Sequence, residues 1–255
     1  MGPGGTGMIL AAFDFGDAID FIVNGRESVT GGVRIGGSEL LPQLWRHLEL
    51  TGAAVGIACA VALPLALWLG HLRKGQFAVA SIANVGRAVP SLALIGFAVA
   101  YIGLGFPNAL LALTLLAIPP IFVNAYVGIA QVEPDIVDAA RGQGMTEPEI
   151  VRKVELPLAV PLVFGGVRTS VVNVIATATI APLIGVVTLG DAIVSPQVYG
   201  DAGQLGAAIC VAALAITAEV TLALIQMLVT PKGLKVSSPR RRGFPFMSMR
   251  RVEVS

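Results

Sequence analysis

Charge is scarce in this chain of 255 residues. Only 13% are Asp, Glu, Lys or Arg, 55% are hydrophobic, and the mean hydropathy is +0.80. A soluble domain carries about 25% charged residues, so the shortage argues against a water-soluble globule and for an integral membrane protein. The formal net charge of +1 gives no reason to expect a nucleic-acid partner, because the charges are clustered rather than spread over a face. Cysteine is nearly absent as well. Cys59 and Cys210 lie in apolar runs with no histidine beside them, which argues against a disulfide or metal site and for two inert thiols. No Gly-x-x-x-x-Gly-Lys-Ser/Thr loop, His-Glu-x-x-His pair or paired-cysteine pattern occurs, so nucleotide hydrolysis and zinc chemistry have no carrier here. His47 and His71 fall at opposite ends of one apolar run, too far apart to share a site.

The first 45 residues lack a basic start, and Asp14, Asp17 and Asp20 interrupt their only apolar stretch. They do not read as a cleaved signal peptide. We expect an extracytoplasmic segment with a short interfacial helix around 13–23 and a flexible glycine-rich stretch at 31–37. The chain beyond residue 45 is oily enough to cross a bilayer repeatedly, since a spanning helix needs about 20 apolar residues. Five spans are expected within a permease-like domain over 46–231, at about 48–70, 77–102, 108–130, 158–187 and 205–229. The run from Ala88 to Val132 holds no charge; it is too long for one helix, and 103–108 supplies a turn rich in Gly, Pro and Asn.

Lysine and arginine orient the chain. With the amino terminus outside, the inner side receives Arg73, Lys74, Arg141, Arg152 and Lys153. The basic tail over 232–255 adds Lys232, Lys235, Arg240, Arg241, Arg242, Arg250 and Arg251, against Arg26, Arg34 and Arg46 outside. The polar interruption at 133–157 is therefore expected in the cytoplasm. It reads as two short helices. Pro134 suits a first helical turn, Gly142 and Gly144 suit a stop, and Thr146 with Glu149 forms a capping-box pattern. Ile150, Val151 and Val154 then make an apolar stripe, closed by Leu156-Pro157. Small residues at Ala139 and Ala140 permit a partner surface to come close. The competing reading is an amphipathic helix lying on the membrane.

This segment runs Asp138-Ala139-Ala140, three residues, Gly144, nine residues, then Val154-Glu155-Leu156-Pro157. It resembles the Glu-Ala-Ala loop of binding-protein-dependent ABC importer permeases, with both internal spacings kept and Asp138 and Val154 as conservative departures. The resemblance implies an all-α integral membrane fold, a five-helix permease core with a cytoplasmic coupling helix, and a site in the bacterial inner membrane. It places ATPase contact at Asp138, Ala139, Ala140 and Gly144, with Leu156 and Pro157 anchoring the return. The implied partners are a second permease subunit, identical or related, two ATP-binding cassette subunits and an extracytoplasmic substrate-binding protein. ATP and magnesium would belong to the cassette subunits, and this chain would bind no cofactor.

Two further segments resemble the branch that imports glycine betaine, choline and carnitine: Asn84 to Leu94, with its Pro90-Ser91-Leu92-Ala93-Leu94 run, and Val154 to Pro161 with Gly166-Val167-Arg168-Thr169 after it. At 6% aromatics no cage for a quaternary ammonium is evident, which fits selection by a separate binding protein. Rival readings are a permease for an amino acid such as methionine, and a carrier driven by an ion gradient. The translocation path or gate falls to Pro90, Ser91, Arg168 and Glu219. Arg168 lies roughly 15 Å into its span and Glu219 midway along the next. Ionisable groups at that depth face the bundle interior or a cavity, and a buried pair between the two is an equal alternative. Arg87 reads as snorkelling, and the basic tail as a contact for anionic lipid. Pro64, Pro90, Pro119, Pro120, Pro161 and Pro182 are expected to kink or break their helices.

Overall fold

The computed structural model describes residues 15–231, apart from the side chains of Val85 and Arg87. The basic tail and the first part of the expected 13–23 helix lie outside the described residues. Among the described residues there are ten α-helices: α1 (Phe15–Val23), α2 (Leu40–His71), α3 (Gln76–Ala88), α4 (Ser91–Ile102), α5 (Phe106–Ala130), α6 (Pro134–Gly142), α7 (Glu147–Ile150), α8 (Leu156–Thr177), α9 (Asp191–Val194) and α10 (Pro196–Val229). A two-stranded antiparallel hairpin, Arg26–Glu27 with Arg34–Ile35, sits between α1 and α2.

The core is built around α5, which packs against α2, α3, α4 and α8. On α2, Ala54, Ala58, Ala62 and Ala66 recur every fourth residue and are all buried. That spacing puts them on one helical face, and their small side chains let α5 approach closely. Gly166 does the same for α8. A Cβ there would stand 2.7 Å from Asn124 Cβ and 2.7 Å from the Pro120 carbonyl oxygen of α5.

Four helical stretches are long and apolar enough to cross a membrane: 37–71, 106–130, 147–184 and 196–229. They correspond to four of the five expected spans. The expected span at 77–102 is instead two short helices, α3 and α4, parted at Pro90, whose ψ of 127° is extended. Proline has no N–H to give and pushes the residue before it out of the helical region. The other prolines do not act this way. Pro64, Pro119, Pro120 and Pro161 lie inside continuous helices, and Pro182 lies in a 3-10 stretch, Ala178–Ile184. Around the Pro119-Pro120 pair, side chains occupy nearby backbone carbonyls. Asn124 Nδ2 donates to the Pro120 carbonyl at 2.8 Å, and Ser170 Oγ of α8 to that of Ala117 at 2.6 Å. Those two carbonyls are not the ones the prolines free, since Pro119 and Pro120 leave Leu115 and Leu116 without their usual in-helix donors.

The amino-terminal segment is folded onto the bundle. Phe21 of α1 is fully buried with Ile175, Leu189, Tyr199 and Ala207, and its ring meets Tyr199 edge-on at 6.4 Å. The 31–37 stretch closes the hairpin, which is tied to the start of α10. Val29 N–H donates to the Val198 carbonyl at 3.0 Å, and Arg26 Nη2 to that of Tyr199 at 2.9 Å. These long-range bonds, made by residues 26 and 29, fasten the hairpin to α10. They lie at the end of the bundle opposite the 133–157 loop. Helix α10 breaks at Gly200, whose φ is 65°, and then runs antiparallel to α8, so Gln226 near its far end meets Pro161 near the start of α8.

Candidate functional site

The 133–157 segment folds as a small unit with its own core. Pro134 opens α6 in the first turn. Val132, Val137, Ala140 and Ile150 bury one another, with Met145, Val154 and Leu158 packed alongside. The corner between α6 and α7 is Gly144, at φ 83° with open space around it. A side chain would fit there sterically but would strain the backbone. Thr146 then caps α7, and both halves of the capping box with Glu149 are present.

Ion pairs stiffen the outside. Arg141 donates to Asp138 at 2.9 Å and to both Glu147 oxygens at 2.9 and 3.1 Å. This guanidinium holds the Glu147 carboxyl below its ordinary range, and the two carboxylates raise Arg141. Lys153, 2.7 Å away, and then the Thr146 backbone N–H and hydroxyl pull the Glu149 carboxyl down to about 2.

The unit is fastened to the end of α2 by His71, whose side chain is only 3% exposed. Its Nδ1 lies 2.8 Å from Glu155, itself 2% exposed, and its Nε2 lies 2.9 Å from Glu147. Both ring nitrogens thus face carboxylates. Arg73 donates to the Val132 carbonyl. No histidine role is legible in the sequence, where His71 simply ends an apolar run. Glu155, a lone carboxylate inside the Val154-to-Pro157 motif, is the one signal for it.

The motif residues fall into two groups. Asp138, with a side chain 69% exposed, Ala139 and Gly144 face outward. Ala140 is 6% exposed and belongs to the internal core, where its small size serves packing within the loop. Leu156-Pro157 does not close a helix. Residues Val151–Glu155 form a π turn that runs directly into α8. Pro157 has no N–H to bond back four residues, and a local widening of the helix fits that gap.

Within the bundle, Arg168 and Glu219 do meet. Arg168 Nη2 pairs with Glu219 Oε1, Nε reaches the same oxygen at 3.1 Å, and Nη1 donates to Gln226 at 2.9 Å. The pair ties α8 to α10 and is only partly covered, with side chains 28% and 40% exposed. Ser91 lines a cavity of about 460 Å³ together with Thr169 and Asn173. Those two residues also line a neighbouring hollow that contains Glu219. Pro90 and Arg168 line neither. Asn124 and Asn173, which the sequence does not single out, are central to the first. Cys59 and Cys210 are both free thiols, and no cluster of metal-ligating side chains occurs among the described residues.

Residues 60–232 match the family described as binding-protein-dependent transport system inner membrane component. The chain is 38% identical over 200 residues to the glycine betaine/carnitine/choline transport system permease protein OpuCB of Bacillus subtilis, covering 78% of this chain and 92% of that protein. It is 36% identical over 200 residues to the choline transport system permease protein OpuBB of the same organism, with the same coverage. Among solved structures, the inward-facing MetNI methionine ABC transporter superposes with a TM-score of 0.66 at 23% identity, over 75% of this chain and 96% of that one; at that identity it shows a shared fold. A chain of this family is a transport component whose ATP hydrolysis takes place in separate ATPase subunits, which leaves no place for the gradient-driven carrier. By sequence and by fold this chain belongs to the multi-pass inner membrane components of binding-protein-dependent transport systems, the permease subunits of ABC importers.

Proposed function

We propose that this permease forms the membrane path for a quaternary-amine osmoprotectant such as glycine betaine, choline or carnitine, driven through the 133–157 loop by a separate ATPase. The observation that carries the cargo is the match to OpuCB over 92% of that protein's length. An amino-acid cargo has only a likeness of fold behind it.

The coupling role rests on how the loop is joined to the bundle. Asp138 and Ala139 are presented outward while the other face of α6 is locked onto Ile150 and Val154. From Glu147 the chain continues through the π turn into α8 without a break. A displacement of α6 by a docked ATPase therefore moves α8, and His71 carries part of it to α2. In this reading α3 and α4 together make the fifth crossing. Helix α4, with 12 residues, is about 18 Å long and too short alone for a core of about 30 Å. The hairpin end lies outside, and the loop and basic tail face the cytoplasm. A second permease subunit completes the path, a binding protein delivers the ligand, and ATP and magnesium stay with two cassette subunits.

The test is uptake of radiolabelled glycine betaine and choline by cells deprived of this gene and then given it back, as wild type or as Ala139→Trp. Wild type restores uptake. Ala139→Trp inserts normally and transports at less than about a tenth of that rate, because the ring blocks a close approach at an exposed position. Full transport by the variant would exclude the docking role, and failure of the wild type on both compounds would exclude the cargo.

A further inference from the structure

The cavity of about 460 Å³ is walled by α3, the start of α4, α5 and α8, and its size is within the about 300–1,000 Å³ typical of small-molecule sites. Among its described lining residues no side chain is charged or aromatic. Its polar groups are those of Ser91, Asn124, Thr169, Asn173 and Thr177. Thr169 has given its one hydroxyl hydrogen to the backbone, and Asn124 one of its two amide hydrogens. Asn124 Nδ2 donates to the Pro120 carbonyl at 2.8 Å and Thr169 Oγ1 to the Gly165 carbonyl at 3.0 Å. What each has left on its oxygen is acceptor capacity. Pro119 and Pro120 add to this: without N–H groups they deprive the carbonyls of Leu115 and Leu116 of their usual in-helix donors, and Leu116 is part of the lining.

A hollow whose described lining is rich in acceptor oxygens and free of fixed charge suits one kind of solute in particular. A quaternary ammonium has no N–H to donate, so geometrically demanding hydrogen bonds are of no use to it, while oxygen dipoles stabilise its diffuse positive charge. No described lining residue receives the other end of such a ligand. Arg168, next to Thr169 in sequence, is occupied by Glu219 and Gln226 and does not line the cavity.

We infer that this cavity is a weak transit site that reads the trimethylammonium group through Asn124, Thr169 and Asn173 and is indifferent to whether the ligand also carries a carboxylate. The inference rests on the quaternary-amine cargo proposed above and locates its recognition within this subunit.

The test uses the whole transporter in cells, with radiolabelled choline and glycine betaine as probes and uptake normalised to the amount of permease in the membrane. Asn124→Leu removes an acceptor and lowers the maximal uptake of both compounds about tenfold, leaving their ratio unchanged. Asn173→Asp is nearly isosteric, and Asn173 is exposed, so this variant keeps the fold and introduces a carboxylate. It raises choline uptake relative to glycine betaine about fivefold, since the cation is held and the zwitterion's carboxylate is repelled; a purely structural lesion would scale both alike. An unchanged ratio in Asn173→Asp, or full uptake in Asn124→Leu, overturns the site while leaving the cargo standing. Failure of the wild type to take up either compound overturns the cargo and the site together.

Discussion

Helices α5 and α10 have nearly the same oiliness, with mean hydropathies of 2.0 and 2.3 over their most apolar stretches, yet 44% of that stretch is buried in α5 and 6% in α10. Hydropathy reports that a helix can leave water; it does not say what replaces the water. For α5 the replacement is the protein itself, and polar groups such as Asn108 and Thr114 are buried along with the apolar ones. For α10 the buried residues all lie in the first half, from Tyr199 to Val211. Beyond Val211 many of its apolar side chains stand exposed, Leu224 and Leu228 among them; Leu214, Ala215 and Ala218 are half-buried against the core, and Glu219 and Gln226 add a polar link to α8. One helix is the spine of the subunit, and the other is a surface that lipid or a second subunit must cover.

The strongest way to break this contrast is to disturb the spine. Gly166→Leu forces a side chain into Asn124 and Pro120, and overpacking of this kind costs about 1–3 kcal/mol. The melting temperature of the detergent-purified protein should fall by about 5 °C. One residue away, Gly165 has nothing within 4 Å of a built Cβ, so Gly165→Leu should leave it within about 1 °C. Equal effects at the two glycines would mean that α5 and α8 are not in the contact described.

A smaller effect is expected where α10 is fastened. Arg168→Ala leaves Glu219 unpaired, and Glu219→Ala leaves Arg168 unpaired except for Gln226. An ion without its partner is costly within a membrane, so each single change should lower the amount of permease in the membrane about twofold to threefold. The double change should lower it less than Arg168→Ala alone. If the two losses simply add, the residues do not depend on each other and α10 is held by something else.

The same contrast marks what was legible in the sequence. Four long apolar helices could be anticipated because hydrophobic runs are local, although α2 and α10 begin eight and nine residues ahead of the expected spans, and the 133–157 loop could be drafted because caps and glycine corners are local too. Helix α3–α4 was not legible as two pieces. Proline looks alike in sequence at 90 and at 119–120, yet the chain parts at the first and stays helical through the second, in a helix packed between α2 and α8. Ala140 gives the same difficulty in reverse: an alanine in a helix does not announce which face is inward, and here that is set by Ile150 and Val154 folding back on it. The His71–Glu155 contact joins residues 84 apart, and the acceptor-lined cavity draws on α4, α5 and α8 together. Neither is visible until the helices are packed.

The two helices α8 and α10 also begin differently, and the difference gives the smallest prediction. The start of α10 is a broken one, with Gly200 out of the helical region, whereas α8 is reached through α7 and its capping box. Glu149 is the acid half of that box, and its carboxyl is lowered from 4.5 to about 2 by Lys153 first and by Thr146 next. A carboxylate held below its unfolded value stabilises the fold above that value, and the contribution is lost as pH falls through the folded one. Hydrogen-exchange protection of the Glu149 and Ile150 amides, corrected for intrinsic rates, should therefore fall a few-fold between pH 4.5 and about 2. Glu149→Gln should begin with lower protection and lose only the part owed to Glu147, which Arg141 also holds low. A variant that loses as much protection on acidification as the wild type would show that the cap is not what starts this helix, and that α8 is entered, like α10, on packing alone.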